Sequence, residues 1–198
     1  MTKEEMIAYL MKNPKYDSAW IDKAAEMLIT EKYSEDFLFQ FSADKLAMLE
    51  QAYNKYGPES HDADSIFIDL ISNPRLNISQ MQILFTAKSQ GVDSGKLQKI
   101  SDHNIPYGVM NYVAQAMIDG LDLTEEINVL DFSIDQIYEL VAGYHSGVDY
   151  RMYADNRIPA ESMNIIRAGL EVGYLISYDV DSRKIVMEYP FDEDNKYE

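Results

Sequence analysis

Carboxylates are the side chains this sequence concentrates most sharply. Between Ile100 and Tyr150 stand Asp102, Asp119, Asp122, Glu125, Glu126, Asp131, Asp135, Glu139 and Asp149, with no lysine or arginine among them. All 17 basic residues fall in the rest of the chain. Ionised carboxylates only accept hydrogen bonds, and a row of them at fixed separations can stand in for phosphates on a basic protein surface. The expected partner-binding set is Asp119, Asp122, Glu125, Glu126, Asp131, Asp135, Glu139 and Asp149. Asp135 and Glu139 are four residues apart and share a helix face. The competing explanation is a solvated helix face, with the aspartates serving as helix caps.

Catalytic chemistry finds little purchase. The three histidines, His61, His103 and His145, share no spacing. There is no phosphate-binding loop ending in GK[ST], no nucleophile elbow, no HExxH and no EF-hand loop. His61, Asp62 and Asp64 form a short cation-ligating pattern, but such clusters commonly lie in solvated loops. The expectation is a protein that is not an enzyme and uses neither cofactor nor metal. Tyrosine is abundant at 15 residues, and Tyr107, Tyr112, Tyr138, Tyr144, Tyr150 and Tyr153 fall in or beside the acidic stretch. Tyrosine joins a large contact area to a hydroxyl, which suits an interface. Tyr144 occupies an apolar repeat position and is expected in the core.

These side chains are set on a helical frame with a detectable repeat. Four stretches align: LNISQMQILFTAKSQGVD from Leu76, IPYGVMNYVAQAMIDGLD from Ile105, FSIDQIYELVAGYHSGVD from Phe132 and IPAESMNIIRAGLEVGYL from Ile158. Five residues after each start comes Met81, Met110, Ile137 or Met163, and each stretch reaches Gly91, Gly120, Gly147 or Gly173. Ile137, Leu140, Val141 and Tyr144 recur at helical spacing. Ser133 suits a helix cap, and Pro106 and Pro159 suit a first turn. The glycine sits where a helix ends on a left-handed residue, and the apolar residue after it (Val92, Leu121, Val148, Tyr174) fits a Schellman ending. Asp93, Asp122 and Asp149 then cap a second, shorter helix. One repeat is thus a helix of about 13 residues, a corner, and a helix of about 6.

The fourth unit has Leu175 where aspartate is expected. YLISYD and IVMEYPF alternate around Asp181-Ser182-Arg183-Lys184, which reads as a β-hairpin capping the stack. The tail DEDNKYE is expected to fray. Before the repeats, Thr2 and Glu5 make a capping box for a helix to about Lys12. A second helix spans about Ser18 to Glu31 with Trp20, Ala24, Met27 and Leu28 inward. A third spans Ser42 to Tyr56 and has the look of a degenerate repeat. A short helix in DSIFIDLISN precedes Pro74. The expected fold is mainly α, stacked short helix–turn–helix repeats with a small C-terminal β-hairpin. Residues 1–75 form an N-terminal helical region and 76–198 the repeats.

The corner followed by YAD, as in QIYELVAGYHSGVDYRMYAD with NIIRAGLE in the next unit, resembles a short helical repeat of accessory proteins on mobile elements of gut Firmicutes. The resemblance covers roughly residues 76–174. It implies a helical stack and a mobile-element setting, and no catalytic residues. Some small acidic proteins of that setting, anti-CRISPR and antirestriction inhibitors among them, block nucleic-acid-binding machinery. The similarity to those is one of charge and setting.

Composition bounds the rest. The 198 residues are 46% hydrophobic and contain no cysteine, which excludes disulfides and fits a reducing compartment. Neither a signal-peptide run nor the roughly 18 to 20 apolar residues of a membrane span is visible, so a cytoplasmic location is expected. The formal charge of −17 disfavours direct binding to duplex DNA, whose affinity comes from lysine and arginine. The last long helix and hairpin have a loose winged-helix outline, with Arg151, Arg157, Arg167, Arg183 and Lys184 nearby, but acids interrupt any basic stripe. The expected partner is a basic surface, that of a nucleic-acid-binding protein in particular. A general protein–protein adaptor without mimicry is the alternative.

Overall fold

The computed structural model describes residues 2–29 and 33–188. The chain forms helices α1 (Lys3–Leu10), α2 (Ser18–Ile29), α3 (Glu35–Leu38), α4 (Ala43–Tyr56), α5 (Ser65–Ile71), α6 (Ile78–Ser89) and α7 (Ser94–Gln98). Then follow α8 (Tyr107–Ile118), α9 (Ile134–Ser146), α10 (Ala160–Glu171) and strands β1 (Leu175–Asp179) and β2 (Lys184–Glu188). The protein is mainly α with a terminal hairpin, as the periodicity predicts. The expected end of the second helix at Glu31 and the expected fraying of 192–198 lie outside the described residues.

The chain divides into two compact units, Met1–Tyr107 and Gly108–Glu198, rather than near residue 75. The division falls inside the repeats, and the repeat begins earlier than its regular portion. α4 obeys the same pattern: Phe41 opens it, and Leu46, Leu49 and Ala52 are fully buried, 5, 8 and 11 residues later. Met81, Leu84 and Ala87 occupy those places in α6, and Met110, Val113 and Ala116 do so in α8. Ile137 and Leu140 do so in α9, and Met163 and Ile166 in α10. The last of the three places is small for a reason. A β-carbon on Gly143 would strike the Tyr153 hydroxyl, and one on Gly169 would strike the end of Ile176. After α9 and α10 the following element lays a large side chain across that position.

The corners form as predicted. Gly91, Gly120, Gly147 and Gly173 all have φ between 78° and 97°. After α9, the N–H of Val148 donates to the Gly143 carbonyl and that of Gly147 to Tyr144, the paired bonds of a Schellman ending. The same pair closes α6, α8 and α10. The second helices depart from expectation. Only α7 is α-helical in the regular repeats. Leu123–Glu125, Val129–Asp131 and Tyr150–Tyr153 are 3-10 turns, the form short helical pieces adopt. After α10, β1 replaces the short helix. Ile176, 2% exposed, fills the place on Gly169 that Tyr153 fills on Gly143. β1 and β2 pair antiparallel from Leu175↔Glu188 to Asp179↔Lys184.

In the units from Leu76 and Phe132 the side chain four residues in ties the unit forward to the next. The Gln80 amide donates to the carbonyls of His103 (3.2 Å) and Ile105 (3.0 Å). Gln136 does the same to Asn156 (2.9 Å) and Ile158 (2.7 Å). Lys45 reaches the Pro74 carbonyl at 2.9 Å, and the Trp20 indole reaches that of Phe41 at 3.1 Å. The acceptors are in every case the first residue of the following unit or the residue two before it. Both glutamines also complete capping boxes, with Asn77 and Ser133. The bonds to Phe41, Ile105 and Ile158 are buried, where a carbonyl needs a donor.

Within 1–107, α1 packs on α2, α2 on α4, α4 on α5 and α6, and α5 on α7. Asp64 knits the last of these. It caps α5 through the Phe67 N–H at 2.9 Å and accepts from Lys88 Nζ (2.7 Å) and Ser94 Oγ (2.8 Å). Burial pushes its carboxyl up, but Lys88, Phe67 and Ser94 outweigh that and hold it below the ordinary value. In 108–198, α9 packs on α10 and α10 on β1.

Candidate functional site: the acidic face of residues 108–198

All eight expected carboxylates lie in the second unit, and they take different roles. Asp122 and Asp149 hold equivalent places and both start 3-10 turns, accepting from the N–H groups of Thr124 and Arg151 at 3.2 Å. Asp122 also takes the Thr124 hydroxyl. Asp149 is gripped from a second side, by Arg151 Nε at 2.6 Å and Nη2 at 3.1 Å. The guanidinium holds its carboxyl below the usual aspartate value.

Glu139 is not a displayed carboxylate. It is 7% exposed, and it accepts from Arg167 Nε at 2.9 Å and from Asn164 Nδ2 at 3.2 Å. Arg167 in turn donates through Nη1 to Glu171 at 2.6 Å. The strip expected from chain position therefore loses two members. Arg151 follows the cation-free window by one residue, and Arg167 enters from the neighbouring helix, which a count along the chain cannot register.

The remaining carboxylates face outward to different degrees. Asp119, with 35% of its side chain exposed, lies 3.4 Å from His145 Nε2 and from Gln115 Nε2. Glu126 is exposed and accepts from the Tyr150 hydroxyl. Burial first, and then this bond, pushes the Tyr150 phenol up to about 12. Glu125 is exposed as well. Asp131 and Asp135 flank the start of α9, both exposed, and neither forms an ion pair among the described residues.

The structure adds a groove that charge counting did not find. It lies between α9 and α10, measures 540 Å³ and is lined by Asp135, Tyr138, Glu139, Glu161, Asn164 and Ile165, with Ala160 at its end. Tyr138 and Ile165 are large, apolar in body, and 47% and 49% exposed. Tyr138 is braced edge-on by Tyr112, with ring centroids 5.6 Å apart. Asp135 and Glu161 occupy the same place in successive repeats, three residues after Phe132 and Ile158. That equivalence is visible on aligning the repeats and could have drawn attention to Glu161.

Other candidates resolve plainly. Tyr144 is 36% exposed and not core; its hydroxyl donates to the Asp119 carbonyl at 3.2 Å. Tyr150 and Tyr153 are both buried; Tyr153 donates to the Glu139 carbonyl at 3.2 Å, and burial pushes its phenol up. His61 and Asp62 are exposed, and Asp64 is committed to its helix cap and Lys88, so the three do not form a ligand set. Among the described residues no group of three His, Asp or Glu side chains is arranged to hold a metal. Three C-terminal arginines are engaged by acids, Arg151 by Asp149, Arg157 by Asp155 and Arg167 by Glu139 and Glu171. No described helix is long and apolar enough to cross a membrane.

Searches against family models, curated proteins and solved structures match nothing to this chain. The side chains themselves are the ground for a functional reading.

Proposed function

We propose that this is a non-catalytic, cytoplasmic helical-repeat protein that binds a basic protein surface through the acidic face of residues 108–198. Its sharpest form is inhibition. Carboxylates would occupy the surface on which a nucleic-acid-binding host-defence protein holds its nucleic acid, in the manner of an anti-CRISPR or antirestriction protein. The observation that supports it is the exposure of Asp131, Asp135 and Glu161 without ion-pair partners among the described residues, on a chain of charge −17. Such a surface accelerates encounter with a basic partner and repels nucleic acid. The neutralised Glu139 and Asp149 contribute structure rather than display.

A second reading, a repeat adaptor without mimicry, is favoured by one observation. The groove between α9 and α10 offers Tyr138 and Ile165 as exposed apolar anchors. One experiment separates the two. The full chain captures partners from a lysate of its host, identified by mass spectrometry, and binding to each is measured at several salt concentrations. The charge-reversed variant Asp119→Lys/Glu126→Lys/Asp131→Lys/Asp135→Lys, shown folded by circular dichroism, is run beside it. An inhibitor of the proposed kind loses affinity on both charge reversal and added salt, and displaces nucleic acid from its target. Binding that ignores both treatments rejects electrostatic docking and leaves the adaptor.

A further inference from the structure

We propose that the groove between α9 and α10 is the seat for an extended, arginine-bearing segment of a basic partner protein. This rests on the acidic-face reading and gives it a location and a chemistry.

The groove is built rather than incidental. Its floor is Glu139, 7% exposed and fixed by Asn164 and Arg167. Arg167 spends its Nε on Glu139 and its Nη1 on Glu171. One guanidinium thus serves two carboxylates and leaves that network net negative. No lysine or arginine lines the groove, whereas Asp135 and Glu161 do, one from each helix. Charge complementarity therefore calls for a cation.

The neighbouring surface narrows the choice of cation. The Tyr138 ring stands half exposed and is steadied by Tyr112. A guanidinium stacks on such a ring while its planar fork of donors meets carboxylates. A lysine ammonium is compact and strongly hydrated, and does this less well. Ile165, at the other side, offers an apolar contact to a residue adjacent to the arginine. The volume of 540 Å³ lies within the range of about 300–1,000 Å³ typical of sites that enclose small ligands. It accommodates one arginine and a neighbour rather than a folded surface.

The test uses the full-length protein and three fluorescein-labelled peptides of one sequence. The first carries arginine beside leucine, the second lysine in place of arginine, the third uncharged citrulline. Binding is followed by fluorescence anisotropy at low salt. The arginine peptide should bind, the lysine peptide several-fold more weakly, and the citrulline peptide not measurably. Tyr138→Ala and Asp135→Asn/Glu161→Gln should each weaken the arginine peptide about tenfold. Glu125→Gln/Asp131→Asn, acids that do not line the groove, should change it less than twofold. All these positions are exposed, and circular dichroism verifies folding. If the arginine peptide binds but only the Glu125/Asp131 variant loses it, the groove assignment fails and the acidic-face reading stands. If it binds equally to every variant, the groove assignment again fails. If neither basic peptide binds the parent, the groove assignment fails, and the acidic-face reading is decided separately by the charge-reversed variant and the salt series.

Discussion

Residues 76–104 and 132–157 are two copies of one design put to different uses. Each opens with a capping box closed by glutamine, ends its long helix on a left-handed glycine, and starts its second element on an aspartate. Each glutamine reaches forward to the same two carbonyls of the following unit. The copies part company outside that shared set. Where the first has Ser79, Gln82 and Ile83, the second has Asp135, Tyr138 and Glu139. The frame is set by the caps, corners and buried positions; Asp135 and Tyr138 stand on places it leaves free, while Glu139 is buried against Arg167.

The comparison can be broken at its strongest points first. Leu84→Ala and Leu140→Ala remove equivalent, fully buried side chains. Each should cost about 2–5 kcal/mol in chemical denaturation, and a large inequality would show that the two copies do not share a core design. Gln80→Ala and Gln136→Ala leave buried carbonyls without donors and should each cost about 1–3 kcal/mol. Leucine at the same positions restores bulk without the bonds, and should recover little of that. Removing the caps, Asn77→Ala or Ser133→Ala, should cost about 1 kcal/mol in either copy.

Acid titration sharpens the contrast further. In the folded protein burial pushes the Asp64 carboxyl up, but Lys88, Phe67 and Ser94 outweigh it and hold the group below the ordinary aspartate value. A depressed carboxylate contributes stability above its unfolded value and loses it as pH falls through the folded one. Stability attributable to Asp64 should therefore be intact above about pH 4 and disappear below it. Asp64→Asn should flatten that acid limb of a denaturation-versus-pH curve. The smallest effect is expected at the free places. Asp135→Asn should shift stability by less than about 0.5 kcal/mol, since the residue is exposed and makes no ion pair among the described residues.

Most of the fold could be read from the residue string, because its determinants are local. Glycine at a helix end, aspartate two residues on, and apolar spacing of three and four each act within one turn. The hairpin was legible for the same reason, and Leu175 in place of aspartate marked where it begins. The forward-reaching side chains were not. Trp20, Lys45 and the two glutamines Gln80 and Gln136 share a role across three residue types, and their acceptors are backbone carbonyls 20 to 29 residues away. The acidic strip was only partly legible. The cation-free window located the right unit, but Glu139 and Arg167 meet across two helices, 28 residues apart in the chain. The groove depends on that same pairing of helices, so Ile165 and Glu161 gained significance only once α10 lay beside α9.

The forward reach of each glutamine also gives the molecule a direction in time. Gln136 finds its last acceptor 22 residues later, and Gln80 25 residues later. On a ribosome, which releases chains amino end first, a freshly emerged unit holds an amide with no carbonyl to meet until the head of its successor appears. Completion therefore lags synthesis by one unit, and truncation within a linked pair strands the preceding glutamine.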